Sequence, residues 1–220
     1  LNVDWVVMFA VLSAMSMTLG NLVAIMQSNI KRMLAYSTVA HAGYIMIGVA
    51  AIGSRPADSE MLGPASVLFY LGAYAVTNLL AFFVVIVVSE KIRSDMIDDF
   101  AGLGKRSPFL GACLALSMVS LIGLPPAAGF MAKIFIFGAA IHADLVWLVA
   151  IAVINSVVSG YYYLRVIKVV YLSPPNSEDP ILSPVPVSVA IGITTIGVIF
   201  FGIFPSPLMD LALNAVEVLL

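Results

Sequence analysis

The longest apolar stretch of this chain, residues 108–141, carries a single charged residue, Lys133, a few positions after the sequence Gly123-Leu124-Pro125-Pro126. As one straight helix its 34 residues would reach about 51 Å, well beyond a hydrocarbon core of roughly 30 Å. Proline removes a backbone donor and disrupts the preceding turn, so the stretch reads as a helix broken at Pro125-Pro126. Insertion scales put a lysine at the bilayer centre at about +2.5 to +3.5 kcal/mol, so the Lys133 amine has to face protein or water. Irregular backbone beside an intramembrane charge is the usual layout of a transport site.

Composition agrees with a membrane setting: 62% of the 220 residues are hydrophobic, only 10% are charged, and the mean hydropathy is +1.10. Hydropathy divides the chain into six apolar segments, 3–26, 33–52, 65–88, 108–141, 145–172 and 185–204, each long enough to span. The fold class is therefore all-α integral membrane, with six transmembrane helices, the fourth of them broken. Residues 205–220 place Asp210, Asn214 and Glu217 at i, i+4 and i+7, the pattern of a helix lying in the interface.

Basic residues fix an orientation. Lys31, Arg32, Lys91, Arg93, Lys105, Arg106, Arg165 and Lys168 fall on one set of alternate loops, and Arg55 alone falls on the other. Lys and Arg are retained on the cytoplasmic side, which puts the basic loops there and both chain ends outside. The polar connector 89–107 mixes charges of both signs and reads as a solvated loop or a surface for a neighbouring subunit. Leu1 enters a span almost at once, with no initiator Met and no basic leader, so the chain is expected to be part of a longer protein.

Several chemistries are set aside by what the sequence lacks. A net charge of -2 without any basic run gives no nucleic-acid footprint. The lone Cys113 can form no internal disulfide, and no His, Cys and carboxylate cluster offers metal-ligand spacing. No Ser-His-Asp or Cys-His arrangement is apparent for hydrolysis.

Polar residues within the spans form stripes. Ser37, His41 and Tyr44 share one face of the second segment, Ser66, Tyr70, Tyr74 and Asn78 one face of the third, and Asn155, Ser159 and Tyr162 one face of the fifth. Taken singly, each reads as a helix-to-helix hydrogen bond worth on average about 0.6 kcal/mol. Together with Lys133 they suggest a lined path. An unperturbed imidazole titrates near neutrality, which suits His41 to a proton relay, with a neutral histidine bonded between helices as the competing reading. The proton-path candidates are Lys133, His41, Tyr44 and Ser37, with Pro125 and Pro126 as the helix break. Transport of protons or small cations is the chemistry that these groups support.

Residues 29–44 (NIKRMLAYSTVAHAGY) resemble the loop-plus-helix signature of the antiporter-like membrane subunits of respiratory complex I. Residues 98–108 (DDFAGLGKRSP), 123–133 (GLPPAAGFMAK) and 161–166 (YYYLRV) are similar, within that set, to subunit N, the bacterial counterpart of the mitochondrial second ND subunit. The resemblance implies a fourteen-helix subunit built from two inverted five-helix repeats, of which residues 1–172 look like the second and 173–220 like the final helix and an interfacial tail. It further implies that Lys133 is the lysine of the second broken helix, controlling proton exit, and that His41 belongs to the central hydrophilic axis. An M-type relative is expected to carry glutamate at the Lys133 position.

By the same resemblance the function is proton translocation by a membrane-arm subunit of NADH:quinone oxidoreductase, in a bacterial inner membrane and in company with other membrane-arm subunits. NAD, FMN, iron-sulfur clusters and quinone would belong to partner subunits, and none to this chain. The first repeat that the family implies, with its own glutamate-lysine pair, is not contained in these residues. A subunit of a multisubunit cation/proton antiporter and a structural membrane scaffold are the competing readings.

Overall fold

A computed structural model describes residues 2–53, 62–175, 177 and 179–219. In chain order the elements are α1 (Asn2–Ile25), α2 (Ile30–Gly53), α3 (Leu62–Ile92), a 3-10 turn (Ile97–Phe100), α4 (Leu103–Arg106), α5 (Pro108–Ile122), α6 (Ala128–His142), α7 (Val146–Leu172), α8 (Val185–Ile203) and α9 (Ser206–Leu219). Five of them, α1, α2, α3, α7 and α8, are long and apolar enough to cross a membrane. The molecule is thus an all-helical, multi-pass membrane protein. α5 and α6 have 15 residues each, about 22 Å apiece, too short to span separately. Leu1 and Arg55, the basic residue expected on the outer side, lie outside the described residues.

Local chemistry sets where the helices begin and end. α2 starts at Ile30, ahead of its apolar run, because Asn29 caps it: the Asn29 side-chain oxygen accepts from the Arg32 amide at 3.0 Å. α5 opens on Pro108, whose missing N–H costs nothing at a first helical position, and closes at Gly123 with φ 87°. α1 and α2 approach closely through glycine: a Cβ on Gly20 would lie 2.6 Å from the Ala40 amide nitrogen, and one on Gly43 would lie 2.7 Å from that of Met17. Such small-residue contacts replace the hydrophobic drive that is missing between helices in lipid.

α3 is the hub, packing against α2, α5, α6, α8 and α9. Two apolar cores flank it. One gathers Met33, Leu34, Leu80, Val84, Phe100, Leu114 and Tyr163, and the other gathers Met17, Tyr44, Ile47, Phe69, Tyr70, Ile136 and Leu148. α9 lays Ala212 and Val216 on Ala65 near the start of α3 and leaves Asp210, Asn214 and Glu217 exposed. The outward side of α1 is apolar along its length, with Trp5, Met8, Met15 and Leu19 all exposed, as suits lipid or a neighbouring helix.

The connector 89–107 folds onto the bundle. Ile97, Phe100 and Leu103 are buried in the first core because apolar residues are interleaved with the charges. It also clamps the α1–α2 turn: the Ile30 amide donates to Asp95 O and the Ile97 amide to Ser28 O, both at 2.8 Å, and Lys31 Nζ pairs with Asp95 Oδ1 at 2.7 Å. Arg165 Nη1 reaches Gln27 O at 3.4 Å from α7. Lys31 and Arg165 of this end therefore hold loops together.

The Lys31 ammonium bonded to Asp95 holds its carboxyl below the usual carboxylate value of about 3.9. A depressed folded value means that the pair stabilises the clamp above the ordinary carboxylate range and releases it as pH falls through the folded value. Amide-exchange protection at Ile30 and Ile97 should therefore be flat from neutral pH down to about 4 and drop below it. Lys31→Gln should lower that protection already at neutral pH; equal protection in the variant would show that the ion pair does not hold the clamp.

Candidate functional site

Where α5 stops, its carbonyls are left open. The Gly123 amide turns back onto Val119 O and Ser120 O, and the Leu124 amide onto Val119 O, so Leu121 O and Ile122 O have no helical donor. Lys133 fills the gap. A side chain on a helix leans toward its N-terminus, which here aims the amine from α6 back at the end of α5. Lys133 Nζ donates to Ile122 O at 2.6 Å, to Leu121 O at 3.4 Å and to Ser156 Oγ of α7 at 3.1 Å. It also lies 4.8 Å from the centre of the Tyr44 ring.

The amine is buried, with 5% of the residue exposed. Among the described residues no carboxylate pairs with it. Its charge is met by dipoles instead: two carbonyls at a helix C-terminus, a hydroxyl and an aromatic face. Gly123 is needed twice over, for its positive φ and because a Cβ there would sit 2.7 Å from Lys133 Cδ. The helices close tightly around the break, since a Cβ on Gly129 would stand 1.9 Å from Ser120 O.

Tyr44 carries the site onward. Its hydroxyl shares a hydrogen bond with Ser156 Oγ at 3.0 Å and donates to Ala152 O at 3.2 Å. One turn earlier on α2, His41 Nδ1 meets the Tyr70 hydroxyl at 2.8 Å, Nε2 faces the Tyr163 hydroxyl at 3.4 Å, and the ring stacks on Tyr74 at 4.7 Å. Two short hydrogen-bonded chains result, Lys133–Ser156–Tyr44 and Tyr163–His41–Tyr70. Between them the His41 and Tyr44 rings are 5.8 Å apart, centre to centre.

A cavity of about 10 Å³ lies beside His41, lined also by Tyr70, Tyr74, Thr77, Ser120 and Gly129. That is room for about one water molecule with several polar partners. Thr77 Oγ1 and Ser120 Oγ are 3.0 Å apart on its wall, and Ser120 Oγ accepts from the Gly129 amide at 3.1 Å. The histidine and the helix break thus share one small polar chamber. Its hydroxyls and imidazole can each donate and accept, which is the requirement for handing on a proton.

The structure brings Lys133, Tyr44 and His41 together; Ser37 donates its hydroxyl to Leu34 O of its own helix at 2.7 Å and lies beside Tyr163. Pro125 and Pro126 fall in the link between α5 and α6. Sequence reasoning missed Ser156, Tyr163, Ser120 and Thr77, and placed Tyr70 in a stripe without a role. A signal was available for two of them: Ser156, Ser159 and Tyr163 at i, i+3 and i+7 share a face of α7, beside the one occupied by Asn155 and Tyr162. Asn155 and Tyr162 bond Asn21 of α1, at 3.0 and 2.9 Å, and tie helices together away from the amine.

A multi-pass helical bundle with an amine seated at the junction of two short helices has an antiporter-like membrane architecture. The chain belongs to the NADH:quinone oxidoreductase/Mrp antiporter transmembrane family, whose pattern matches residues 1–159. It is 44% identical over 220 residues to NADH-quinone oxidoreductase subunit N of Dehalococcoides mccartyi, a match covering 100% of this chain and 45% of that protein. It therefore spans a little under half the length of this relative. The fold superimposes on a chain of respiratory complex I from Thermus thermophilus with bound aureothin at TM-score 0.78 and 31% identity, covering 92% of this chain and 44% of that one. A chain of the Mrp complex from Dietzia, at TM-score 0.84 and 19% identity, covers 96% of this chain and 46% of its own and shares the fold.

The packing of Gly123 against Lys133 predicts a measurable coupling. In the full-length protein, Gly123→Ala should cost about 1–3 kcal/mol through backbone strain and collision with the lysine stem. With Lys133→Ala in the same chain the collision is gone, and a double-mutant cycle from denaturation curves should give a coupling of about 0.5–3 kcal/mol. Additive losses would show that the two residues do not constrain each other.

Proposed function

We propose that this chain is the second half of a subunit-N-type membrane subunit of a proton-translocating NADH:quinone oxidoreductase. The observation that carries the reading is the Lys133 amine, buried on the open carbonyls of α5 and joined through Ser156 to Tyr44. An amine held by neutral acceptors can change charge without breaking an ion pair, which suits a group that takes up and releases protons. Lys133 would exchange protons through Ser156, Tyr44 and bound water with the His41 chamber, and release them on the outer side when a nearby charge disfavours the ammonium form.

In this reading α1, α2, α3, the α5–α6 pair and α7 form one five-helix repeat over residues 1–172. α5 and α6 together make a single broken span, which brings the crossings to six. α8 is the final crossing, with α9 along the outer interface. The basic loops face the cytoplasm of a bacterium whose inner membrane holds the assembly. The partners are other membrane-arm subunits, and the NADH, FMN, iron-sulfur and quinone chemistry belongs to subunits outside this chain. Similarity to curated subunit N proteins supports the assignment.

A second reading, a subunit of a multisubunit cation/proton antiporter, draws on the likeness in fold to the Mrp complex. The two part on energy source. Gentle purification of the native assembly should recover flavin and iron-sulfur subunits with inhibitor-sensitive NADH:quinone activity. Recovery with small membrane subunits alone, and cation-dependent exchange without any NADH requirement, would transfer the assignment to the antiporters.

Within the intact assembly, Lys133→Ala should leave subunit composition normal and slow proton translocation by about tenfold, equivalent to about 1.4 kcal/mol of barrier. The check is a pH-gradient dye assay in proteoliposomes at matched protein content. Unchanged translocation in a fully assembled complex would remove Lys133 from the path and favour a scaffold role.

A further inference from the structure

An open groove of about 440 Å³ runs between the end of α3 and the start of α8. Its floor is apolar, built from Phe83, Ile86 and Val87 of α3 and from Leu182, Pro184 and Val187 leading into and along α8. One turn further along α3 the character changes, and Glu90 and Lys91 close the same groove. Both are exposed, and neither forms an ion pair among the described residues. Beyond Glu90 lies a second, polar cavity of about 220 Å³ bordered by Lys31, Arg93 and Asp95.

The far wall is held in place. Ile181, buried, donates its amide to Arg106 O at 3.4 Å, Arg106 Nε donates to Asp179 O at 3.0 Å, and the Ser188 amide closes the first turn of α8 on Pro184 O. The segment entering α8 is thereby fixed beside α3 while Leu182 stays exposed. The groove is a standing feature of the packing.

Its polarity runs along the helix axes, apolar toward the middle of two membrane-spanning helices and charged at their ends. That gradient matches a lipid with its chain along the helices and its head group at their termini. The charges narrow the class. A cation and an anion on neighbouring residues suit a head group that carries a phosphate and, a few bonds away, an ammonium with N–H donors. We propose that this groove is a binding site for one phosphatidylethanolamine molecule. Its acyl chain lies along Phe83, Ile86 and Val187, its phosphate on Lys91 and its ammonium on Glu90. The inference rests on the membrane-spanning fold and is independent of the proton-path reading.

The test uses the full-length subunit in its native assembly, reconstituted in nanodiscs that contain trace diazirine-acyl probes of phosphatidylethanolamine, phosphatidylcholine or phosphatidylglycerol. After photolysis, labelling of the peptides covering residues 83–91 and 182–187 is read by mass spectrometry and normalised to total labelling of the chain. Phosphatidylethanolamine should label them at least about fivefold more than either other probe, because phosphatidylcholine has no N–H to donate to Glu90 and phosphatidylglycerol has no ammonium. Glu90→Gln should abolish that preference, and Lys91→Gln should lower labelling by all three probes alike. Equal labelling by all three probes means bulk lipid only, and absent labelling together with protein cross-links means that a neighbouring subunit fills the groove. Those outcomes, a preference surviving Glu90→Gln, or labelling unchanged by Lys91→Gln, overturn the proposal.

Discussion

The end of a helix and an ammonium group are each poorly tolerated in hydrocarbon, and in this structure each removes the other's penalty. An unpaired backbone carbonyl in lipid costs several kcal/mol, and an unpartnered lysine about 2.5–3.5 on insertion scales. By stopping α5 at Ile122 the chain leaves two carbonyls that need donors, and Lys133 supplies them. Much of the neighbourhood follows from that exchange. Gly123 must turn with positive φ and leave space for the lysine stem, and Gly129 must let α6 start against Ser120. Gly202 of α8 has to pass close to Pro126, since a Cβ there would lie 2.0 Å from Pro126 O. Ser156 must face inward from α7.

The same exchange explains why the polar groups sit between two apolar cores. Tyr44 and Tyr70 border one core and Tyr163 the other, and their hydroxyls meet at His41 and Ser156. In lipid such a seam survives only where nearly every member has a partner. The hydroxyls of Thr77 and Ser120 pair with each other, and those of Ser37 and Ser159 return to carbonyls of their own helices. Satisfied in this way, the seam leaves one small chamber beside the histidine, bordered by groups that a single water can bond.

Much of the fold was legible because hydropathy and helix punctuation act locally. The apolar runs gave the long helices to within a few residues at most ends, and Gly123-Leu124-Pro125-Pro126 marked where α5 gives way to α6. Lys133 stood out because a charge in an apolar run has no local explanation. What escaped depended on which face of one helix meets which face of another. Asn155 and Ser156 are adjacent in sequence yet point to different neighbours, Asn21 of α1 and Lys133 of α6. Ser and Thr are also ambiguous in membrane helices, since Ser37 bonds its own backbone and Ser156 bonds the amine. The connector 89–107 was half legible for a related reason: its charges stand largely in solvent, while Ile97, Phe100 and Leu103 between them anchor it in the core.

A lysine paired with a carboxylate is locked by its partner, because changing its proton leaves the other charge buried and alone. Lys133 is bonded to carbonyls and a hydroxyl, whose dipoles lower the energy of the ammonium form without tying it to a fixed anion. Its protonation is then open to charges farther away. At an effective dielectric near 20, one elementary charge at about 10 Å changes the balance by roughly 1.7 kcal/mol, more than tenfold in proton occupancy. In the proposed proton-path reading, sensitivity of that size to a charge outside its own contacts is what coupling between neighbouring sites would require. It arises from the way α5 ends, since an unbroken helix would have no free carbonyls to offer and the amine would need a counter-ion instead.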